Sequence, residues 1–273
     1  MSAAVPTLKP LQAIEDGWAA FARAPWTFLL FELLAGSLAV LSALLVIAGA
    51  ARLTGVIDTA HPAMAWLGLV LGVFGYAVTI TWGMVGLVRG AQQSLQGQRP
   101  DFASFTRWDG AVWAVLWRCL LVGLVLIPIK LIFGVVGVGL YNVNTLLTLI
   151  PLGIAIVLGL YLMVTQQFFL QITLFEERNL VATIQRGRRL NDPHWWRMLG
   201  FLITLSLVNL LLALLVLYTG FIVAIPLMAC ISTAAYQQLS DQVSCAVAPA
   251  AIWHCGCGGW PPPPARWPPP ACG

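Results

Sequence analysis

Uncharged apolar runs alternate with short segments rich in arginine and tryptophan, a pattern that predicts a chain crossing a membrane repeatedly. The first run opens at Pro25 and Trp26 and reaches Ala51 with one acid, Glu32, and the second goes from Ala63 to Val88 without a charge. A third begins at Ala111, with Arg118 near its entry, and is read as one span ending near Lys130, because Pro128 and Lys130 interrupt it. The glycine-rich segment Gly134, Gly137, Gly139 up to Asn144 is then an outer-surface or re-entrant connection, and Leu146 to Phe175 a fourth span. Two more, about Leu199 to Tyr218 and Phe221 to Leu239, are joined by a turn at Thr219 and Gly220, and Pro226 is expected to kink the last. The expected fold is all-α, a polytopic bundle of six transmembrane helices.

The polar segments have their own periodicity. Pro10 opens a helix whose Leu11, Ile14, Trp18 and Phe21 recur three or four apart, leaving Glu15, Asp16 and Arg23 for water; such a helix is expected to lie flat on the membrane. Phe102, Phe105 and Trp108, among Arg99, Asp101 and Arg107, suggest a second interfacial helix. The stretch Phe175 to Phe201 is the most basic. It carries Arg178, Arg186, Arg188, Arg189 and Arg197, while Leu180, Val181, Ile184 and Leu190 fall roughly on one helical side. Asp192 offers an N-cap with Pro193 at the first helical position, and Trp195 and Trp196 follow at headgroup depth. These five arginines and two tryptophans are the candidate lipid-binding residues, for anionic headgroups.

Composition agrees with the pattern, since 60% hydrophobic and 9% charged residues are incompatible with a water-facing surface. A net charge of +4 is too small to argue for nucleic acid. Its placement is informative: the N-terminal segment, the second connection with its span entry, and the Phe175–Phe201 hinge hold eleven basic residues, whereas the alternate connections hold Arg52 and Lys130. The positive-inside rule then puts both termini in the cytoplasm of a bacterial inner membrane, with the first span as its own targeting signal. Residues 1–24 form an amphipathic N-terminal segment, 25–240 the transmembrane domain and 241–273 a tail with eight prolines and four of the six cysteines, unable to form a packed core. The tail also has the composition of GC-rich DNA translated out of frame. The starts RAPWTFL, RWDGAVW and NDPHWWRML lie about 85 residues apart, the period of three repeated hairpins.

Catalytic constellations are not evident. His61, His194 and His254 share no helical face with a suitable acid or cysteine, no phosphate loop or HExxH occurs, and the tail cysteines have no paired CxxC spacing, so no catalytic residue, metal site or cofactor is assigned. Glu32, Lys130 and Asn209 are the intramembrane polar candidates. Their structural alternatives are an interface-proximal carboxyl, a snorkelling ammonium at a span end and an interhelical hydrogen bond. Gly68 and Gly72 allow close helix approach, within the chain in preference to a dedicated dimer face.

GWAAFARAPWTFL, the RG followed by QRPDFASF, FEERNLVATIQRGRRLNDPHWWRMLGF and the closing AAYQQL resemble the YciC-type bacterial membrane proteins, and are similar to the membrane domain attached to some glycerophosphodiester phosphodiesterases. The resemblance spans about residues 11–240 and implies a six-helix inner-membrane protein; the phosphodiesterase barrel and its metal-binding acids have no counterpart here. The function expected is non-enzymatic: organising anionic lipids, or a protein partner or second copy, through basic interfacial helices. The alternative is a small-solute or ion transporter, which requires Glu32, Lys130 and Asn209 to converge on one cavity.

Overall fold

The computed structural model describes residues 9–56, 62–176, 179–192, 195–215 and 220–247, without side chains at 143, 212–215, 220–221 and 241–247. Among them there is no strand. The helices are α1 (Pro10–Ala22), α2 (Pro25–Leu53), α3 (Pro62–Leu95), α4 (Phe102–Thr106), α5 (Gly110–Val143), α6 (Leu149–Thr165), α7 (Phe169–Phe175), α8 (Leu180–Asn191), α9 (Trp195–Leu215) and α10 (Gly220–Val247). Prolines open α1, α2 and α3, where the missing N–H costs no intrahelical bond.

Helices α2, α3, α5 and α10 and the stretch Thr145–Phe175 are each long and apolar enough to cross a membrane, and α9 adds the shorter apolar stretch Trp195–Leu211. Leu33, Leu41 and Leu44 on α2, Val70 and Phe74 on α3, and Leu124, Val125 and Leu131 on α5 are all exposed. So large a continuous apolar surface is stable against lipid and not against water. The chain is an integral membrane protein built as a helical bundle.

The core lies toward one end of this bundle. Phe21, Phe28, Phe31 and Phe105 stack with centroid separations of 5.0–5.8 Å, and Phe168, Met198, Phe201, Ile231 and Leu239 continue the buried cluster. Helices α2 and α3 form the closest hairpin, and small residues make it possible. A Cβ on Gly72 would stand 2.7 Å from the Val46 nitrogen, and one on Gly49 2.7 Å from the Leu69 nitrogen. A Cβ on Gly68 would stand 4.0 Å from Gly49 Cα on the same seam, so the Gly68/Gly72 stripe packs within the chain.

Several expectations are corrected. No break occurs near Lys130: α5 is continuous through Pro128 to Val143, and the segment from Gly134 to Val143 is helix and not a connection. In lipid a helix satisfies nearly every backbone group internally, so one bond lost at a proline costs less than an irregular turn there. Lys130 is exposed, 20 residues and about 30 Å along a helix that continues past it. Between α6 and α7 the helix is interrupted at Gln166–Phe168. α10 stays helical to Val247, beyond Asp241 where the composition changes.

Helix α1 docks on the bundle with only part of its Leu11/Ile14/Trp18/Phe21 stripe, Ile14 and Phe21. Ala13, Gly17, Ala20 and Phe21 are buried against α10 and α3, while Leu11 and Trp18 are exposed. A Cβ on Gly17 would stand 2.6 Å from Ile231 Cα, so small residues, not bulky apolar ones, select the docked face. Likewise α4, expected at the interface, inserts Phe105 completely into the core. On α8 the buried face is Thr183, Gly187, Leu190 and Asn191, and Val181 is 65% exposed. Asp192 closes α8 as its C-cap in right-handed helical conformation, and the expected helix start at Pro193 lies outside the described residues.

Candidate functional site

The basic residues gather at one end of the bundle, where α1, α2, α3, α5, α7, α8, α9 and α10 start or stop, and most are bound to the protein itself. Arg89, at the end of α3, donates from Nη2 to both Asp109 carboxylate oxygens at 2.6 and 2.7 Å and from Nη1 to the Arg107 carbonyl at 2.9 Å. Asp109 also accepts from the Ala111 amide as the N-cap of α5. Burial pushes this carboxyl up, but the hydrogen bond and charge of Arg89, with the Ala111 and Val112 amides, outweigh it and hold Asp109 below the usual aspartate range. Arg23 donates to the Ser94 carbonyl, and Arg118 to the Thr173 carbonyl at 3.4 Å. These guanidiniums tie down the loop before α5 and carbonyls in the last turns of α3 and α7.

The hinge arginines divide in the same way. Arg186 is largely buried and contacts Glu176 at 3.3 Å, and Glu176 also accepts from the Tyr236 hydroxyl at 2.9 Å. Arg188 lies 3.6 Å from Asp192 in an exposed i,i+4 pair. Arg189 and Arg197 are exposed, Trp196 is 78% exposed, and Trp195 is half-buried edge-on to it at 4.8 Å. Arg178 lies outside the described residues, as do Pro193, His61, His194 and His254. The exposed basic set is therefore smaller than the sequence suggests, because Arg186 turns inward.

Beside the Glu176–Arg186 pair is an open polar pocket of about 510 Å³, lined by Gln92, Phe175, Glu176, Arg186, Tyr236, Gln237 and Ser240. Sequence reasoning missed Glu176 and Tyr236. The signals were a tyrosine followed by two glutamines at the end of an apolar span, and Gln171 inside another. Gln171 is buried and donates to Ser232 at 3.1 Å, tying α7 to α10.

The intramembrane candidates do not meet. Half-buried Glu32 lines a small cavity of about 100 Å³ with Thr79, Gly83 and Ile225, among α2, α3 and α10. Lys130 is exposed on α5 and Asn209 is half-buried on α9, and neither lines that cavity. The convergence needed for the transporter reading is not observed. Among the described residues no group of three or more His, Cys, Asp or Glu side chains is placed to hold a metal. No family model matches the chain, and neither a curated protein nor a solved structure matches it.

Proposed function

We propose that the protein is a non-enzymatic membrane component that holds anionic lipid at its basic end, through Arg189 and Arg197 with Trp195 and Trp196 fixing the depth. The carrying observation is the division among the hinge residues: Arg186 is committed to Glu176, while Arg189, Arg197 and Trp196 remain exposed beside it. A basic residue near an anionic leaflet contributes about 1 kcal/mol, so the two exposed arginines together favour acidic lipid by about 2 kcal/mol before screening. The basic end faces the cytoplasm of a bacterial inner membrane in this reading; the eleven-to-two distribution of basic residues and their gathering at one end support it. The resemblance to YciC-type proteins belongs to the same proposal. Nanodiscs reconstituted from equal phosphatidylglycerol and phosphatidylcholine should retain excess phosphatidylglycerol with the parent chain, less so with Arg189→Gln/Arg197→Gln, and less at high salt. Equal retention by both chains would refute the proposal.

A further inference from the structure

The pocket beside the Glu176–Arg186 pair is walled by polar groups. Six of the seven described residues that line it are polar, Phe175 is the seventh, and none of the seven is aliphatic. An acyl chain has no wall to lie against there, and a guest from water exchanges its hydrogen bonds for those of the lining. Gln92 comes from the last turns of α3, Glu176 is the C-cap of α7, Arg186 lies in α8, and Tyr236 and Gln237 are neighbours on α10. The guanidinium is anchored but only partly used. Arg186 donates from Nε to Glu176 Oε1 at 3.3 Å, and the same oxygen accepts from the Tyr236 hydroxyl at 2.9 Å. Tyr236 is 4% exposed, so the core fixes this anchor. Nη1 and Nη2 of Arg186 make no hydrogen bond among the described residues.

An arginine held through Nε offers its Nη pair as a planar fork, which matches two oxygens of one carboxylate or phosphate. Charge chooses between these. Arg186 and Glu176 are the charged residues of the described lining, and they cancel. A carboxylate therefore leaves the occupied pocket with one net negative charge, whereas a doubly ionised phosphate leaves two beside Glu176. The side-chain amides of Gln92 and Gln237 also line the pocket and make no hydrogen bond among the described residues. An amide both donates and accepts, as a hydroxyl does, so the two glutamines match hydroxyl groups on the same guest. We infer that this pocket binds a small water-soluble hydroxycarboxylic acid, its carboxylate on the Nη fork of Arg186 and its hydroxyls on the amides of Gln92 and Gln237. The site is separate from the proposed lipid contact, which uses Arg189 and Arg197, and stands or falls without it.

Phenylglyoxal, which adds across the Nη pair of an arginine, reports on the fork directly, with the modified residues identified by peptide mass spectrometry. The full chain is held in phosphatidylcholine nanodiscs at constant ionic strength, and gluconate, sorbitol, inorganic phosphate and chloride are the probes. Gluconate should slow modification of Arg186 about fivefold at about four times its Kd and leave Arg189 and Arg197 at their free rates. Sorbitol, which has the hydroxyls without the carboxylate, and chloride should give no protection. In Gln92→Leu/Gln237→Leu the protection should vanish while Tm and the unprotected rate stay at the parent values, and each single exchange should lose part of it. No protection by gluconate, equal protection by sorbitol or chloride, or stronger protection by phosphate overturns the inference. So does protection that survives loss of both glutamines, or an Arg186 that fails to react where Arg189 and Arg197 do. Replacing phosphatidylcholine with phosphatidylglycerol should leave the Arg186 rate unchanged; protection by that lipid as strong as by gluconate would give the fork to a headgroup and overturn the soluble guest. Lipid retention through Arg189 and Arg197 is measured separately, so either reading can fail alone.

Discussion

The insertion of Phe105 into α3 gives a sharp double-mutant test. Gly90 and Gly86 form a notch in which a Cβ at Gly90 would stand 2.1 and 2.2 Å from Phe105 Cε1 and Cζ, and one at Gly86 2.6 Å from the Phe105 carbonyl. Phe105 is fully buried, edge-on to Phe28 at 5.0 Å and tilted against Phe31 at 5.2 Å, so its ring has no room to yield. Gly90→Ala should therefore cost about 1–3 kcal/mol through overpacking, less about 1 kcal/mol returned by helix propensity. Phe105→Ala should cost about 3–5 kcal/mol through the cavity it leaves. Once the ring is gone, the three closest contacts of the added methyl go with it, and Gly90→Ala in the Phe105→Ala chain should be neutral or stabilising by about 1 kcal/mol. Thermal unfolding in a mild detergent, followed by tryptophan fluorescence, should show Gly90→Ala lowering Tm by a few degrees in the parent and not in the Phe105→Ala chain. An equal loss in both backgrounds would refute the notch.

Two further predictions concern the basic end. Gly17→Val should release α1, because the new side chain meets the Ile231 backbone and not a movable side-chain tip; limited proteolysis should then cut near Arg23 much faster, while Leu11→Gln on the exposed face leaves the rate unchanged. The Asp109 carboxyl is held low in the folded chain, so its stabilising contribution is complete above the ordinary aspartate value of about 4 and is lost as pH falls through the lower folded value. Tm should stay flat from neutral pH down to that range and then fall; Asp109→Asn should flatten the acid limb while lowering Tm at neutral pH, and unchanged Tm at neutral pH would show that Arg89 does not need its partner.

The spans were legible because an apolar run in lipid has few alternatives to a helix, and α2 and α3 match their runs closely. What misled was the rule that bulky apolar residues mark the buried face. For α1 and α8, Ala13, Gly17, Thr183 and Gly187 are buried and Leu11, Trp18 and Val181 are exposed. Next to a membrane, a large apolar side chain is equally at home in lipid, and close approach selects small residues instead. The same reasoning explains Gly187, where a Cβ would stand 2.8 Å from the Thr165 carbonyl. Pro128 misled for a different reason, since a breaker in water is tolerated where no other backbone conformation is satisfied. The Glu176–Arg186–Tyr236 cluster joins three helices at sequence separations of 10 and 60, which no local periodicity can reveal. Arg186 therefore looked like its neighbours.

The division of labour among those arginines is best tested by comparing Arg186→Gln with Arg189→Gln/Arg197→Gln in the same nanodiscs, measuring Tm and the ratio of phosphatidylglycerol to phosphatidylcholine retained. Losing the charged hydrogen bond to Glu176 should cost about 1–3 kcal/mol, so Arg186→Gln should lower Tm and leave the lipid ratio unchanged. The double variant should leave Tm unchanged and lower the lipid ratio. If Arg186→Gln depletes acidic lipid as strongly as the double variant, or the double variant leaves the ratio at the parent value, the separation of structural from lipid-facing arginines is wrong.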